Sequence, residues 1–184
     1  PYPRVYMENN LIGFFNILDC CKTYKIRHLV FASTSSVYGE NKSFPLKETS
    51  NTDSPISFYA ATKKSNEIMA YSYSYIYKLR CTGLRFFTVY GPYGRPDMSL
   101  YKFTKAILNS NPIKLFNKGN HVRDFTYIDD VVDGIEKLIK KPPRSKIPFE
   151  IYNIGSNNPK HLKEFLKILE NKLNIKAKIK FQPL

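Results

Sequence analysis

Tyr59 stands four residues before Lys63 in "SFYAATKKSNEIMA", with only Ala60, Ala61 and Thr62 between them. On a helix, residues four apart share a face, with Cβ atoms about 5–6 Å apart. A free phenol titrates near pH ~10, and a neighbouring ammonium favours its ionised form. A tyrosine acidified in this way is a general base for an alcohol proton. The small residues between the two leave room for a flat cofactor against the same turn. Upstream, "HLVFASTSS" ends in the hydroxyls of Ser33, Thr34, Ser35 and Ser36, and a hydroxyl there can share the substrate proton with Tyr59. A tyrosine–lysine pair by itself arises by chance in a chain with 14 tyrosines. A hydroxyl cluster at a strand end, followed by the pair at the start of a helix, is a constellation.

The surrounding sequence supplies elements that could hold it. Leu11, Phe14, Phe15 and Leu18 follow helical spacing, so residues 8–25 read as a helix. "HLVFAST", 28–34, reads as a buried strand, and residues 35–56 as irregular, broken by Gly39, Pro45 and Pro55. A helix is predicted from about Ser57 to Leu79, a single strand over "CTGLRFFTV", 81–89, and a Gly/Pro loop over 90–97. Then come a helix in "LYKFTKAILNS", a strand at 113–116 and a strand-like piece in "RDFTYIDD". Asp129 is placed as the cap of a helix reaching Lys140. A strand at 149–155, a helix at 162–173 and a strand "AKIKF" finish the chain. Strands alternating with helices predict an α/β fold whose parallel sheet is covered on both sides. Ligands of such sheets sit beyond the carboxyl ends of the strands, where "STSS" and "TVYGPYGRP" fall.

Composition narrows the function. The chain has 184 residues, 42% of them hydrophobic, which suits one domain or a little more. No apolar run approaches the ~18 residues of a membrane span. "PYPRVYMENN" has neither an initiator methionine nor a signal-peptide core, so the chain is expected to begin partway into something. Cys20, Cys21 and Cys81 lack metal-ligand spacing, and no metal is expected; reduced thiols in the cytoplasm are. The net charge of +14 raises a nucleic-acid partner, but the lysines are scattered and read as solvated helix faces. A positive field also favours an anionic small substrate.

"FASTSSVYG", "FYAATKKSNE", "GLRFFTVYGPYGRPDM" and "RDFTYIDDVVDGI", in that order, resemble the extended short-chain dehydrogenase/reductase family. The closest likeness is to its nucleotide-sugar epimerase branch, in particular the UDP-glucuronate 4-epimerases. The resemblance runs from the first helix to about Gly155. It implies a Rossmann-like doubly wound sheet without its first strands, and a small α/β substrate region. Residues 1–92 would be the C-terminal part of the NAD-binding domain and 93–184 mainly the UDP-sugar region, with 123–155 returning to the sheet. It implies NAD as cofactor, a UDP-sugar substrate and a homodimer, with no nucleic acid and no membrane. The hydroxyl–tyrosine–lysine triad falls on Thr34, Tyr59 and Lys63, and the cofactor contacts on Tyr59, Lys63 and Phe86. Tyr59 would take the proton of the sugar 4-hydroxyl as hydride passes from C4 to NAD. The keto sugar would then turn over and take the hydride back on its other face.

Dehydratases of this family place Asp-Glu directly after the threonine; Ser35 and Ser36 stand there instead and disfavour elimination. By the same resemblance, Ser35, Ser36 and Thr88 contact the sugar carboxylate, Arg95 helps fix the site and Arg123 binds the UDP pyrophosphate. A guanidinium fork suits phosphate oxygens; an ion pair of Arg123 with Asp124 or Asp129 is the alternative. Phe116 is assigned to the uracil end, against a buried strand position, and Tyr38 and Tyr90 to packing. In "AYSYSYIYKL", Tyr71, Tyr75 and Ile76 are expected on a dimer surface. The family's Gly-rich dinucleotide turn is missing from this sequence. Half a nucleotide domain is expected to give this polypeptide little or no turnover alone, and three readings stand. One is part of a working epimerase, one a remnant or split-gene product inactive alone, and one a binding module without chemistry.

Overall fold

A computed structural model describes residues 2–41 and 43–183. Pro1, Lys42 and Leu184 lie outside them, and so does the expectation drawn from Pro1 as a starting residue. In chain order the elements are α1 (Pro3–Tyr6), a π-helical stretch (Met7–Ile12), α2 (Gly13–Thr23), β1 (Leu29–Thr34), a 3-10 turn (Ser35–Tyr38), α3 (Phe58–Tyr77), β2 (Cys81–Phe86) and β3 (Thr88–Tyr90). They continue with α4 (Ser99–Leu108), β4 (Ile113–Phe116), a short turn (Asn117–Gly119), β5 (Val122–Tyr127), α5 (Ile128–Ile139), β6 (Phe149–Ile154), β7 (Pro159–His161), α6 (Leu162–Leu173) and β8 (Ile179–Gln182). Two compact units result: Pro1–Phe87 with Val132–Ile154, and Thr88–Val131 with Gly155–Leu184.

The first unit is built on a parallel sheet of order β1-β2-β6. Its register runs from Leu29 beside Cys81 beside Phe149 to Thr34 beside Phe86 beside Ile154, so the three strands end in step. Leu18, Cys21, Phe31, Ala70, Leu79 and Cys81 form its core, with Phe14, Met69 and Ile151 packed against them. Burial pushes the Cys81 thiol up to about 11, so this sulfur packs as a small hydrophobe. Ser57 caps α3 by accepting a 3.1 Å bond from the Ala60 N–H, which satisfies a donor the helix start would otherwise leave open. Ala60 and Ala70 are fully buried on this helix. Where β2 passes between Phe31 and Ile151, any side chain would push its neighbours aside: a Cβ on Gly83 would lie 2.8 Å from Phe31 Cζ and 2.5 Å from Ile151 Cδ1.

The second unit pairs β3 parallel to β5 and β5 antiparallel to β7, while β4 runs parallel to β8. Ile107, Ile113, Leu115 and Leu166 form its core. Phe125 of β5 stacks on Phe165 of α6 with ring centroids 4.3 Å apart.

Several boundaries differ from the sequence reading. "CTGLRFFTV" is two strands: the Phe87 N–H donates to the Ile154 carbonyl at 3.1 Å, and β2 and β3 join different sheets. A continuous apolar run carries no mark of a change of strand partner. Helix begins at Pro3 rather than 8, with proline in the first turn, where its missing N–H costs nothing. Asp129 lies inside the first turn of α5 rather than capping it; acidic residues favour either place for the same electrostatic reason. The three-residue strands β3 and β7 are too short for periodicity to reveal.

Replacing Gly83 by alanine should cost about 1–3 kcal/mol through overpacking, seen as a lower urea midpoint in chemical denaturation.

Candidate active site

Thr34 ends β1 and starts the turn that follows. Its Oγ1 accepts the Ser36 N–H at 3.2 Å and lies 3.3 Å from Ser36 Oγ. It is 8% exposed, at the carboxyl edge of the sheet, beside Phe86 in register. Ser35 is half-buried and Ser36 exposed.

Tyr59 and Lys63 lie in the first two turns of α3, both half-buried. The Lys63 ammonium donates to the carbonyl of Ala32 at 3.2 Å, two residues before Thr34. Burial holds its pKa below the ordinary lysine value; among the described residues no carboxylate compensates it. The Tyr59 ring meets Tyr6 with centroids 5.8 Å apart. Beside it, Asn10 Nδ2 donates to Thr62 Oγ1 at 2.9 Å, from the widened π stretch, a helical irregularity frequent at functional sites. Strand-end hydroxyl and ammonium thus lie at one strand, with Tyr59 one helical turn before the lysine. A partly desolvated cation with, among the described residues, a single donated bond suits an oxygen-rich ligand, such as the ribose hydroxyls of a dinucleotide, which can take its remaining N–H groups.

One level below Thr34, a polar row crosses the sheet. Ser33, Arg85 and Asn153 are register neighbours on β1, β2 and β6. Ser33 Oγ donates to Glu67 Oε1 of α3 at 2.6 Å. Arg85 Nε and Nη2 donate to the two oxygens of Glu67 at 2.9 and 2.8 Å. Arg85 Nη1 donates to the Tyr38 hydroxyl at 2.9 Å, and that O–H donates to Asn153 Oδ1 at 2.6 Å. Arg85 and Glu67 are each only 3% exposed. Burial alone lowers the arginine's pKa, but its bonds to Glu67 and Tyr38 outweigh this and raise it. Tyr38, assigned to packing from the sequence, is therefore a working member of a hydrogen-bond network. Glu67 and Arg85 were missed altogether. The signal was present: a charge inside the apolar strand "CTGLRF" demands a buried partner.

The other residues assigned to the substrate belong to the second unit. Thr88 opens β3 beside Phe125. Arg95 is exposed and bonds Asp97 through both oxygens, at 3.0 and 2.5 Å, holding that carboxyl below its usual range. Arg123 is exposed on β5 and donates to the Val122 carbonyl at 2.8 Å. The suggested ion pairs do not form; Asp124 instead accepts the N–H groups of Ser156 at 3.0 Å and Asn157 at 2.8 Å. Phe116 is 50% exposed at the end of β4, not a buried core aromatic. Tyr90 packs edge-on against Phe125 and Tyr127.

Residues 1–155 match the model of the NAD dependent epimerase/dehydratase family, and the chain belongs to that family. It is 50% identical over 196 residues to Protein CapI of Staphylococcus aureus, covering 99% of this chain and 59% of that protein. It is 44% identical over 183 residues to a probable UDP-glucuronate 4-epimerase of Rhizobium meliloti, covering 91% of this chain and 54% of that one. Its structure is similar to that of a UDP-glucuronic acid 4-epimerase from Bacillus cereus in complex with UDP-glucuronic acid and NAD. The TM-score is 0.90 at 34% identity, over 97% of this chain and 55% of that one. The parallel sheet is Rossmann-like, and the chain spans somewhat over half the length of these relatives.

Replacing Lys63 by methionine should stabilise the fold by about 0.5–1 kcal/mol at neutral pH, a figure kept small because the side chain is partly solvated. Its folded pKa is lowered, so the charge opposes folding below that value. As pH rises from the folded pKa towards 10.5, the unfolded chain binds more protons and this penalty fades. The gap between the variant and wild-type denaturation midpoints should therefore narrow in alkali.

Proposed function

We propose that this chain carries the catalytic part of an NAD-dependent nucleotide-sugar 4-epimerase interconverting UDP-glucuronate and UDP-galacturonate in the cytoplasm. The observation that carries this reading is the placement of Lys63 on the Ala32 carbonyl, with Thr34 at the end of the same strand and Tyr59 one helical turn before the lysine. Family membership and the relatives named UDP-glucuronate 4-epimerase support the choice of reaction.

In this reading Tyr59 accepts the proton of the sugar 4-hydroxyl, and Thr34 holds the same oxygen by hydrogen bond. Lys63 favours the phenolate and binds ribose hydroxyls of the dinucleotide; Phe86, next to Thr34 in register, lies against the cofactor. NAD, when bound, takes hydride from the sugar carbon and returns it, so the overall reaction is redox-neutral. Ser35 and Ser36 donate to the sugar carboxylate and offer no acid for eliminating water. Of the second unit's residues, Thr88 and Arg95 serve the sugar, Arg123 the diphosphate and Phe116 the uracil end. The exposed Arg123 fork has the geometry for phosphate oxygens.

Ile68, Tyr71, Tyr75 and Ile76 are large exposed side chains on one side of α3. Their spacing supports pairing with a second copy of the chain.

Tyr59→Phe should lower the rate of UDP-galacturonate formation, followed by chromatography with NAD supplied, by about 10²–10⁴-fold. UDP-glucuronate binding should remain; a wild-type rate in the variant would overturn the assignment. Replacing Tyr75 and Ile76 by lysine should shift sedimentation from dimer to monomer, and an unchanged sedimentation coefficient would remove the α3 interface.

A further inference from the structure

We propose that Glu67, gripped by Arg85 and Ser33, is the positioning residue that sets α3 against β1 and thereby places Lys63 and Tyr59 beside Thr34. The inference rests on the catalytic reading above. Glu67 lies one helical turn beyond Lys63 and two beyond Tyr59. Ser33 lies between Ala32, whose carbonyl takes the Lys63 ammonium, and Thr34. The helix is thus tied to consecutive residues of the strand by two rungs. The Lys63 rung is one 3.2 Å bond from a flexible stem. The Glu67 rung is buried and charge-assisted, with three side-chain bonds of 2.6–2.9 Å. The stiffer rung sets the geometry for the softer one.

An apolar contact would hold the two elements together without choosing an angle, because burial of apolar area is non-directional. A bidentate carboxylate–guanidinium pair fixes orientation as well as distance. Such control matters here, since a misplacement of about 1 Å at a reacting group can cost on the order of 10²-fold in rate. The same network anchors the segment running from Thr34 to Tyr59. Arg85 Nη1 donates to the Glu48 carbonyl at 3.1 Å, and Asn153 donates to Glu48 Oε1 at 2.8 Å and to the Leu46 carbonyl at 3.0 Å. The segment is thus pinned to the polar row at Tyr38, Leu46 and Glu48.

The test compares Ser33→Ala, Ser33→Thr and Glu67→Gln. Ser33→Ala leaves the ion pair whole, so it keeps the fold even if Glu67→Gln does not. The first readout is the NMR titration of the Lys63 side chain in the 184-residue chain. In Ser33→Ala its midpoint should move up towards the ordinary lysine value as the ammonium leaves the strand end for water, and Ser33→Thr should restore it. The second is epimerisation of UDP-glucuronate: kcat should fall about tenfold or more in Ser33→Ala, with KM within about twofold and recovery in Ser33→Thr. An unmoved Lys63 titration in Ser33→Ala would overturn the proposal. So would equal losses in kcat and apparent binding that threonine fails to restore. A wild-type chain without epimerase activity would count against the proposed reaction, while the Lys63 titration would still decide the positioning role.

Discussion

A carboxylate and a guanidinium are buried together beneath the end of a parallel sheet, and the first unit is organised around keeping them satisfied. Taking either ion out of water alone costs several kcal/mol, so each is tolerable only with its partner in place. Glu67 spends both oxygens on Arg85 and takes a third bond from Ser33. Arg85 spends its remaining donor on Tyr38 and the Glu48 carbonyl. The bonds bring one helix, two strands, a turn and a loop to a common point. Removing Glu67 or Arg85 leaves the other ion buried and unpaired, a penalty that apolar packing does not carry.

Thr34 stands one step above this row, while the Lys63 ammonium reaches the Ala32 carbonyl on its other side. The strands end in step at Thr34, Phe86 and Ile154, so the hydroxyl emerges at an edge rather than inside the sheet. The ammonium of Lys63 is only partly desolvated and keeps N–H groups to spare. The ionic pair is buried and fully matched, whereas the half-buried Lys63 donates to a strand carbonyl.

The second unit uses its polar residues differently. Asp124 closes the Ser156–Asn157 turn, which leaves the adjacent Arg123 exposed without a carboxylate partner among the described residues. Its core holds α4 and α6 against β4, which pairs with β8, and the exposed Phe116 stands at the end of β4.

Local pattern was enough to place the helices and the longer strands, because amphipathic spacing and capping act over a few residues. Ser57 as the start of α3 could be read directly, and so could the Tyr59–Lys63 face and the hydroxyls after β1. The break at Phe87 could not, since strand pairing depends on residues far away in the chain. Nor could the exposure of Phe116, which depends on what lies over β4. Arg85 announced in an apolar strand that a partner must exist, but the sequence contains 15 acidic residues and offers no rule for choosing among them. Only the register that sets Ser33 beside Arg85, and the seating of α3 across both, singles out Glu67. A buried charge is a local fact of sequence; the identity of its counter-charge is a fact of distance in three dimensions, where the Coulomb and desolvation terms are decided.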